Sequence, residues 1–148
     1  MKKLILAALT FFISTASYAQ IITPVKWAYG TKKINNKQAV VFITATIDNG
    51  WHIYSQHVAD GGPAKTSFRF DKSDNYTLNG STTEPKAISK YEGVFGMNVQ
   101  YFVRSVLFQQ KIKLKNGQAL VKGTLSYMAC NDHECLPPEA VDFRIPIK

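Results

Sequence analysis

Two thiols stand close together late in the chain, in Cys130-Asn131-Asp132-His133-Glu134-Cys135, and they are the only cysteines in the sequence. Such a pair can do three things: staple the fold, exchange electrons by thiol–disulfide chemistry, or hold a soft metal ion. The spacing lets the two Cα atoms come within the roughly 4.4–6.8 Å that a disulfide needs. As a staple it is weak, because closing a loop of about six residues constrains the unfolded chain by roughly 2 kcal/mol, against nearly 5 for about 100 residues. A chain of 148 residues with 45% hydrophobic content also has no need of one. Redox exchange is therefore the favoured reading.

The metal reading rests on Cys130, His133 and Cys135, with Asp132, Glu134, Met97 or Met128 as supplements. A structural zinc site asks for four ligands in two separated pairs, and the second pair is missing. Copper(I) on two thiolates stays open. His52 and His57 read as surface or groove residues rather than ligands, and no cofactor is expected. The acidic neighbours Asp132, Glu134 and Glu139 outnumber the one histidine, so a thiolate gains little stabilisation. The reduced pair then reads as an electron donor, not a strong oxidant. Pro137-Pro138 stiffens the exit from the loop.

The elements that must hold this loop are strands. From Pro24 onward the sequence is apolar and β-branched, is punctuated by turn residues, and has no sustained helical period. Strands are predicted over Val25 to Tyr29, Gln38 to Asp48, Thr66 to Phe70, Tyr101 to Leu114, Ala119 to Ala129 and Val141 to Ile147. In the fifth, Val121, Gly123, Leu125 and Tyr127 share one face, while Lys122, Thr124 and Ser126 share the other. Turns are expected at Asn35-Asn36, Asp48-Asn49-Gly50, Gly61-Gly62-Pro63, Asn79-Gly80 and Asn116-Gly117, the last as a hairpin. Asp71 to Ser89 is the least regular stretch, suited to short edge strands and loops. The fold class is all-β, an immunoglobulin-like antiparallel β-sandwich. The cysteines then fall in the loop between the last two strands, at an exposed end.

The first residues read as an export signal, with Lys2 and Lys3, an apolar stretch from Leu4 to Ile13 and a small-residue site at Ser17-Tyr18-Ala19. This gives a leader at residues 1–19 and one domain at residues 20–148. The longest later apolar run, Ala39 to Ile47, is too short to cross a bilayer, so no transmembrane segment is expected. Of the formal net charge of +8, two units lie in the leader. The remaining lysines, including Lys32-Lys33, Lys65, Lys111, Lys113 and Lys115, are scattered in sequence without interleaved stacking aromatics, which argues against nucleic-acid binding.

The run from Tyr127 to Glu139, with its two cysteines and Leu136-Pro137-Pro138, resembles the active-site hairpin of the N-terminal periplasmic domain of the thiol:disulfide interchange protein DsbD. Gly50-Trp51-His52-Ile53-Tyr54-Ser55 looks like that family's strand beside the cysteines. Tyr91-Glu92-Gly93-Val94-Phe95-Gly96 looks like its cap loop. The resemblance spans about Pro24 to the end. It implies an immunoglobulin-like domain that takes electrons from a thioredoxin-like donor and passes them to oxidised periplasmic thiol proteins. By similarity, Cys135 forms the intermolecular mixed disulfide and Cys130 resolves it. Glu92, Gly93, Val94, Phe95 and Gly96 form a lid with glycine hinges, and Trp51, His52 and Tyr54 line the cavity. The family normally continues into a membrane conduit and a thioredoxin-like domain, so with the sequence ending at Lys148 a separate donor protein is expected. Some relatives have one more residue between the cysteines.

Overall fold

Period-two alternation builds most of the long strands of the computed structural model, which describes residues 22–148. The expected leader, residues 1–19, lies outside the described residues. The elements are β1 (Val25–Asn35), β2 (Gln38–Ile47), β3 (His52–Tyr54), β4 (Ser67–Phe70), β5 (Tyr76–Leu78), β6 (Ile88–Glu92), β7 (Met97–Val103), β8 (Ser105–Leu114), β9 (Ala119–Tyr127), β10 (Ala129–Cys130) and β11 (Glu139–Ile147). No helix occurs among the described residues. The strands pair antiparallel in three sheets, ordered β1-β2-β8-β5, β10-β3-β7-β6 and β11-β9-β4.

One face of most strands feeds a shared core. β2 contributes Val41, Ile43 and Ala45, β8 contributes Val106, Phe108 and Ile112, and β9 contributes Val121, Leu125 and Tyr127. Trp27 meets Tyr127 at 5.3 Å between ring centroids, and Phe68 meets Phe108 at 4.9 Å. Both separations lie in the range where edge and tilted aromatic pairs add to area burial. β9 runs through Met128 into β10, so the second and third sheets are continuous along the segment that delivers the cysteines. Gly123 permits this layer to close, since a Cβ there would sit 2.2 Å from the Arg69 carbonyl oxygen and 2.5 Å from Phe143.

Several predicted boundaries change. The single strand expected over Tyr101 to Leu114 is two, β7 and β8, separated by Arg104 at φ 64°. There the chain passes from the second sheet to the first, and the Arg104 carbonyl accepts a hydrogen bond from Ile47 N at 2.7 Å. Buried Phe102, Val106 and Phe108 stay in phase across the break, so the apolar pattern carries no trace of it. Asn116-Gly117 is not a hairpin, because β8 and β9 lie in different sheets and do not pair. It is an arch across the core, with Gly117 at φ 74°. The hairpins are β1–β2, turning at Asn36-Lys37, and β6–β7. β6 and the start of β7 lay outside every predicted strand. Within the irregular stretch β5 is indeed short and lies at a sheet edge, and β6, which only begins there, is an edge strand too.

Candidate functional site: a cross-strand disulfide beneath a hairpin turn

Antiparallel pairing sets the two faces of the second sheet. Ile53, Phe102 and Ala129 point into the main core. Their neighbours along the chain, Cys130, His52, Tyr54, Tyr101 and Val99, therefore lie on the opposite face. Cys130 pairs directly with His52 in register, and Tyr54 pairs with Tyr101. In a simple sandwich this face would meet water. Here Tyr54, Val58, Val99 and Cys130 form a second apolar cluster, with Phe95, Met97, Tyr101 and Met128 packed against it.

Cys130 and Cys135 are disulfide-bonded, with Cα atoms 4.0 Å apart. The two residues bridge as antiparallel partners, flanked by Asn131 N donating to Glu134 O and Leu136 N donating to Ala129 O, each at 2.9 Å. That makes them a directly opposed, non-hydrogen-bonded pair, the register at which antiparallel Cα atoms come closest, about 4.5 Å. This explains a separation shorter than loop closure alone suggests. The turn is held by Asn131, whose Oδ1 accepts from the backbone N–H of His133 and of Glu134 at 2.8 Å each. Sequence reading passed over Asn131, although an Asn at the head of a short polar turn is a recognisable signal for this arrangement.

The pair is not wholly a loop feature, as the sequence suggested. Cys130 ends β10 and is 1% exposed, whereas Cys135 lies beyond the turn and is exposed. One sulfur-bearing residue is thus sealed into the second cluster while the other faces solvent.

A cavity of about 330 Å³ opens over the disulfide. Its walls combine His52 and Tyr54 from β3, the cysteine turn, and Lys90, Glu92, Val94 and Phe95 from the β6–β7 hairpin. The hairpin turn is closed by Phe95 N and Gly96 N donating to Glu92 O at 3.1 and 2.9 Å. Gly96 has φ 64°, a conformation that favours glycine, whereas Gly93 needs no left-handed backbone. Val94 is 90% exposed, while Phe95 is half-buried against the cluster that contains Cys130. Of the two apolar turn residues, Phe95 packs against the second cluster, whereas Val94 lines the cavity without packing there. Trp51 sits apart, packed on the main core and lining a neighbouring concavity with Asp48 and Arg104. Lys90, unremarkable in the sequence, lines both concavities, and Tyr101 lines the neighbouring one while packing on His52.

The electrostatics follow from burial. His52 Nε2 lies 3.2 Å from the Tyr54 hydroxyl, and the imidazole packs on the rings of Tyr54 and Tyr101 at 5.1 and 5.0 Å. Desolvation lowers the His52 pKa, against the opposing pull of Glu92, so the ring is neutral at pH 7. Burial, reinforced by the Glu92 charge, pushes Tyr54 up to about 12, which keeps its hydroxyl protonated. Two further contacts fix the end of β3. Thr66 Oγ1 donates to Tyr54 O at 2.5 Å, and Glu84 accepts from Ser55 Oγ and, at 3.0 Å, from Gln56 N. Glu92, Asp132 and Glu134 place three carboxyl groups around the cavity, against Lys90 and His133. His57 is exposed and lies 3.9 Å from Glu84, away from the disulfide. Among the described residues, no group of three or more His, Cys, Asp or Glu side chains converges as if on a metal ion.

The sequence profile for "Thiol:disulfide interchange protein DsbD, N-terminal" matches residues 20–146. The DsbD N-terminal domain of Neisseria meningitidis in its reduced form superposes with TM-score 0.54 at 20% identity, over 78% of this chain and 81% of that one. The N-terminal periplasmic domain of ScsB from Proteus mirabilis gives TM-score 0.58 at 14% identity, over 86% of this chain but 49% of that one. A complex of the Neisseria DsbD N-terminal and PilB N-terminal domains gives TM-score 0.51 at 16% identity, over 84% and 87%. At these identities the structural likeness establishes the fold, an immunoglobulin-like β-sandwich. No curated protein sequence matches the chain.

Proposed function

This chain belongs to the family of DsbD N-terminal domains and is a thiol–disulfide exchange module, and from that premise we propose that it is a periplasmic relay passing electrons from a thioredoxin-like donor to oxidised thiol proteins. The observation that carries the division of labour is the burial asymmetry, with Cys135 exposed and Cys130 sealed. In the reduced protein the Cys135 thiolate attacks one sulfur of a partner disulfide. A mixed disulfide forms and the partner's other sulfur leaves as a thiolate, taking up a proton. The Cys130 thiolate then attacks the Cys135 sulfur, forming the intramolecular disulfide and releasing the second partner thiol. Two electrons pass to the partner, and two protons balance its new thiols. A thioredoxin-like dithiol restores the reduced pair by the same steps in reverse.

Direction is argued from charge. The carboxyl groups of Glu92, Asp132 and Glu134 face the cavity, and negative charge beside a thiol disfavours its thiolate, so reduced cysteines here are not stabilised as they are in strong oxidants. Phe95 and Glu92 act as the cap that shields the pair from adventitious acceptors, with Gly96 at its hinge. His52 and Tyr54 form the wall against which the sulfurs pack, and Trp51 supports that wall from the main core. An export leader at residues 1–19 delivers the domain to the periplasm, where oxidised partners reside.

The deciding experiment uses the two single-cysteine variants against a disulfide-bonded thioredoxin-fold partner. Cys130→Ser leaves Cys135 free to attack and accumulates a mixed disulfide visible on a non-reducing gel. Cys135→Ser, with its remaining thiol buried, accumulates none. Equal trapping by both variants, or a pair potential as high as that of a strong oxidant, would refute the assignment.

A further inference from the structure

The relay uses one end of the molecule. At the other end, three separate stretches of chain bring lysines together. Lys33 and Lys37 flank the β1–β2 turn, Lys115 opens the arch after β8, and Lys148 follows β11, whose Ile147 pairs with Ala119. They surround a concavity of about 400 Å³ whose other walls are Asn36, Asn116, Gly117 and Gln118, with no carboxylate side chain among them. The gathering is built into the backbone. Leu114 N donates to Lys37 O at 2.8 Å, tying the β1–β2 turn to β8, and Lys33 Nζ reaches within 3.6 Å of where a Cβ on Gly117 would lie.

None of these four lysines forms an ion pair among the described residues. Of the acids toward β5, Asp71 is paired with Arg69 at 2.6 Å, and Asp74, which precedes the Asn75 carbonyl that accepts from Lys115 N at 3.0 Å, lines a separate concavity beside Lys72. The redox end has the opposite bias, with Asp48, Glu92, Asp132 and Glu134 against Lys90 and Arg104. Along β9 and β10 the two ends lie roughly 35 Å apart at about 3.3 Å per residue. Fixed charge is thus separated along the long axis, which orients the molecule in an external field.

We infer that this basic pole docks on an anionic phospholipid bilayer, with headgroup phosphates seated among Lys33, Lys37, Lys115 and Lys148. A bilayer is favoured over a single soluble anion because Lys32 and Lys113 extend the charge beyond the concavity as exposed neighbours on β1 and β8. A broad, lattice-like source of negative charge engages all of them at once, and the acidic redox pole is turned outward toward protein partners. This docking is independent of the direction of electron flow.

The test is sedimentation of the protein with vesicles of phosphatidylcholine alone and of phosphatidylcholine mixed equally with phosphatidylglycerol, at low and at physiological salt. Binding is expected only to the mixed vesicles and weakens with salt. Each pole lysine near an anionic surface is worth about fivefold, so Lys33→Gln with Lys115→Gln weakens binding by about 25-fold. Lys65→Gln with Lys86→Gln removes the same charge elsewhere and leaves binding within about twofold by the same reasoning. Unchanged circular dichroism of both double variants establishes that they are folded. Absence of binding to the mixed vesicles, or equal loss in both double variants, overturns the inference. Displacement by inorganic phosphate beyond that produced by chloride at equal ionic strength assigns the concavity to a discrete anion and overturns the bilayer.

Discussion

The proposed cap is the part of the site most open to a quantitative test, through Phe95→Ala. Phe95 is half-buried against the cluster of Tyr54, Val58, Val99 and Cys130, whereas its neighbour Val94 is 90% exposed and stands outside that cluster. Full burial of a phenylalanine is worth roughly 1.5–3 kcal/mol, so half-burial gives about 0.8–1.5 kcal/mol for holding the turn closed. At about 1.4 kcal/mol per factor of ten, that corresponds to a closed-to-open ratio of roughly 4 to 12. If a reducing thiol attacks only the open form, deleting the ring raises the open fraction from roughly one-fifth to one-thirteenth up to about one-half, and accelerates reduction of the Cys130–Cys135 disulfide by roughly 2.5- to 6.5-fold. The assay is the pseudo-first-order rate of reduction by dithiothreitol at fixed pH, followed by alkylation and mass shift. Val94→Ala serves as the internal control and is expected to leave the rate unchanged. A Phe95→Ala rate within a factor of two of the parent, or an equal acceleration by Val94→Ala, would refute the idea that this ring gates the sulfurs.

Other outcomes follow from the same geometry. Because burial lowers the folded-state pKa of His52 below its ordinary value, the unfolded chain binds the extra proton first. The stability contributed by neutral His52 is therefore complete above about pH 6.5 and is lost as pH falls through the window below it. Denaturant melts from pH 7.5 to 5 should show that slope, and His52→Gln should flatten it. Gly123→Ala forces a methyl group into the Arg69 carbonyl and the Phe143 ring, so a loss of at least about 2 kcal/mol is expected in chemical denaturation, an overpacking cost with no relief from neighbouring backbone. Asn131→Ala removes the acceptor for two N–H groups of the cysteine turn and should cost about 1 kcal/mol of stability, whereas Asn131→Asp, which keeps the acceptor, should cost less than half of that.

The lysine gathering and the corrected arch have a common origin. Lys33, Lys37, Lys115 and Lys148 are distant in sequence, and Asn116-Gly117 has the composition of a hairpin turn. A two-residue turn signal reports that the chain reverses, not whether the returning strand pairs beside its predecessor or crosses the core to face it. Here β8 and β9 each turn an apolar face inward from opposite sheets, and the arch brings Lys115 under the β1–β2 turn.

Strand character, the all-β class and the redox pair were legible in the residues because they rest on local facts: side-chain alternation, turn chemistry and the spacing of two thiols. Chain continuity gave the proximity of Cys130 and Cys135. The difference between them was not legible. Whether a cysteine is sealed or exposed depends on what lies on the far side of its sheet. Here that is decided by residues some forty to eighty positions away in sequence, Phe95 on a hairpin turn and Tyr54 and Val58 after β3. Likewise Arg104 breaks a pattern whose phase never falters, since a crossing between sheets demands one left-handed residue but no change in which side chains are apolar. Sequence therefore determined that two cysteines could exchange a disulfide. Tertiary packing alone decided which of the two is sealed and which is exposed, because burial is a property of non-local neighbours.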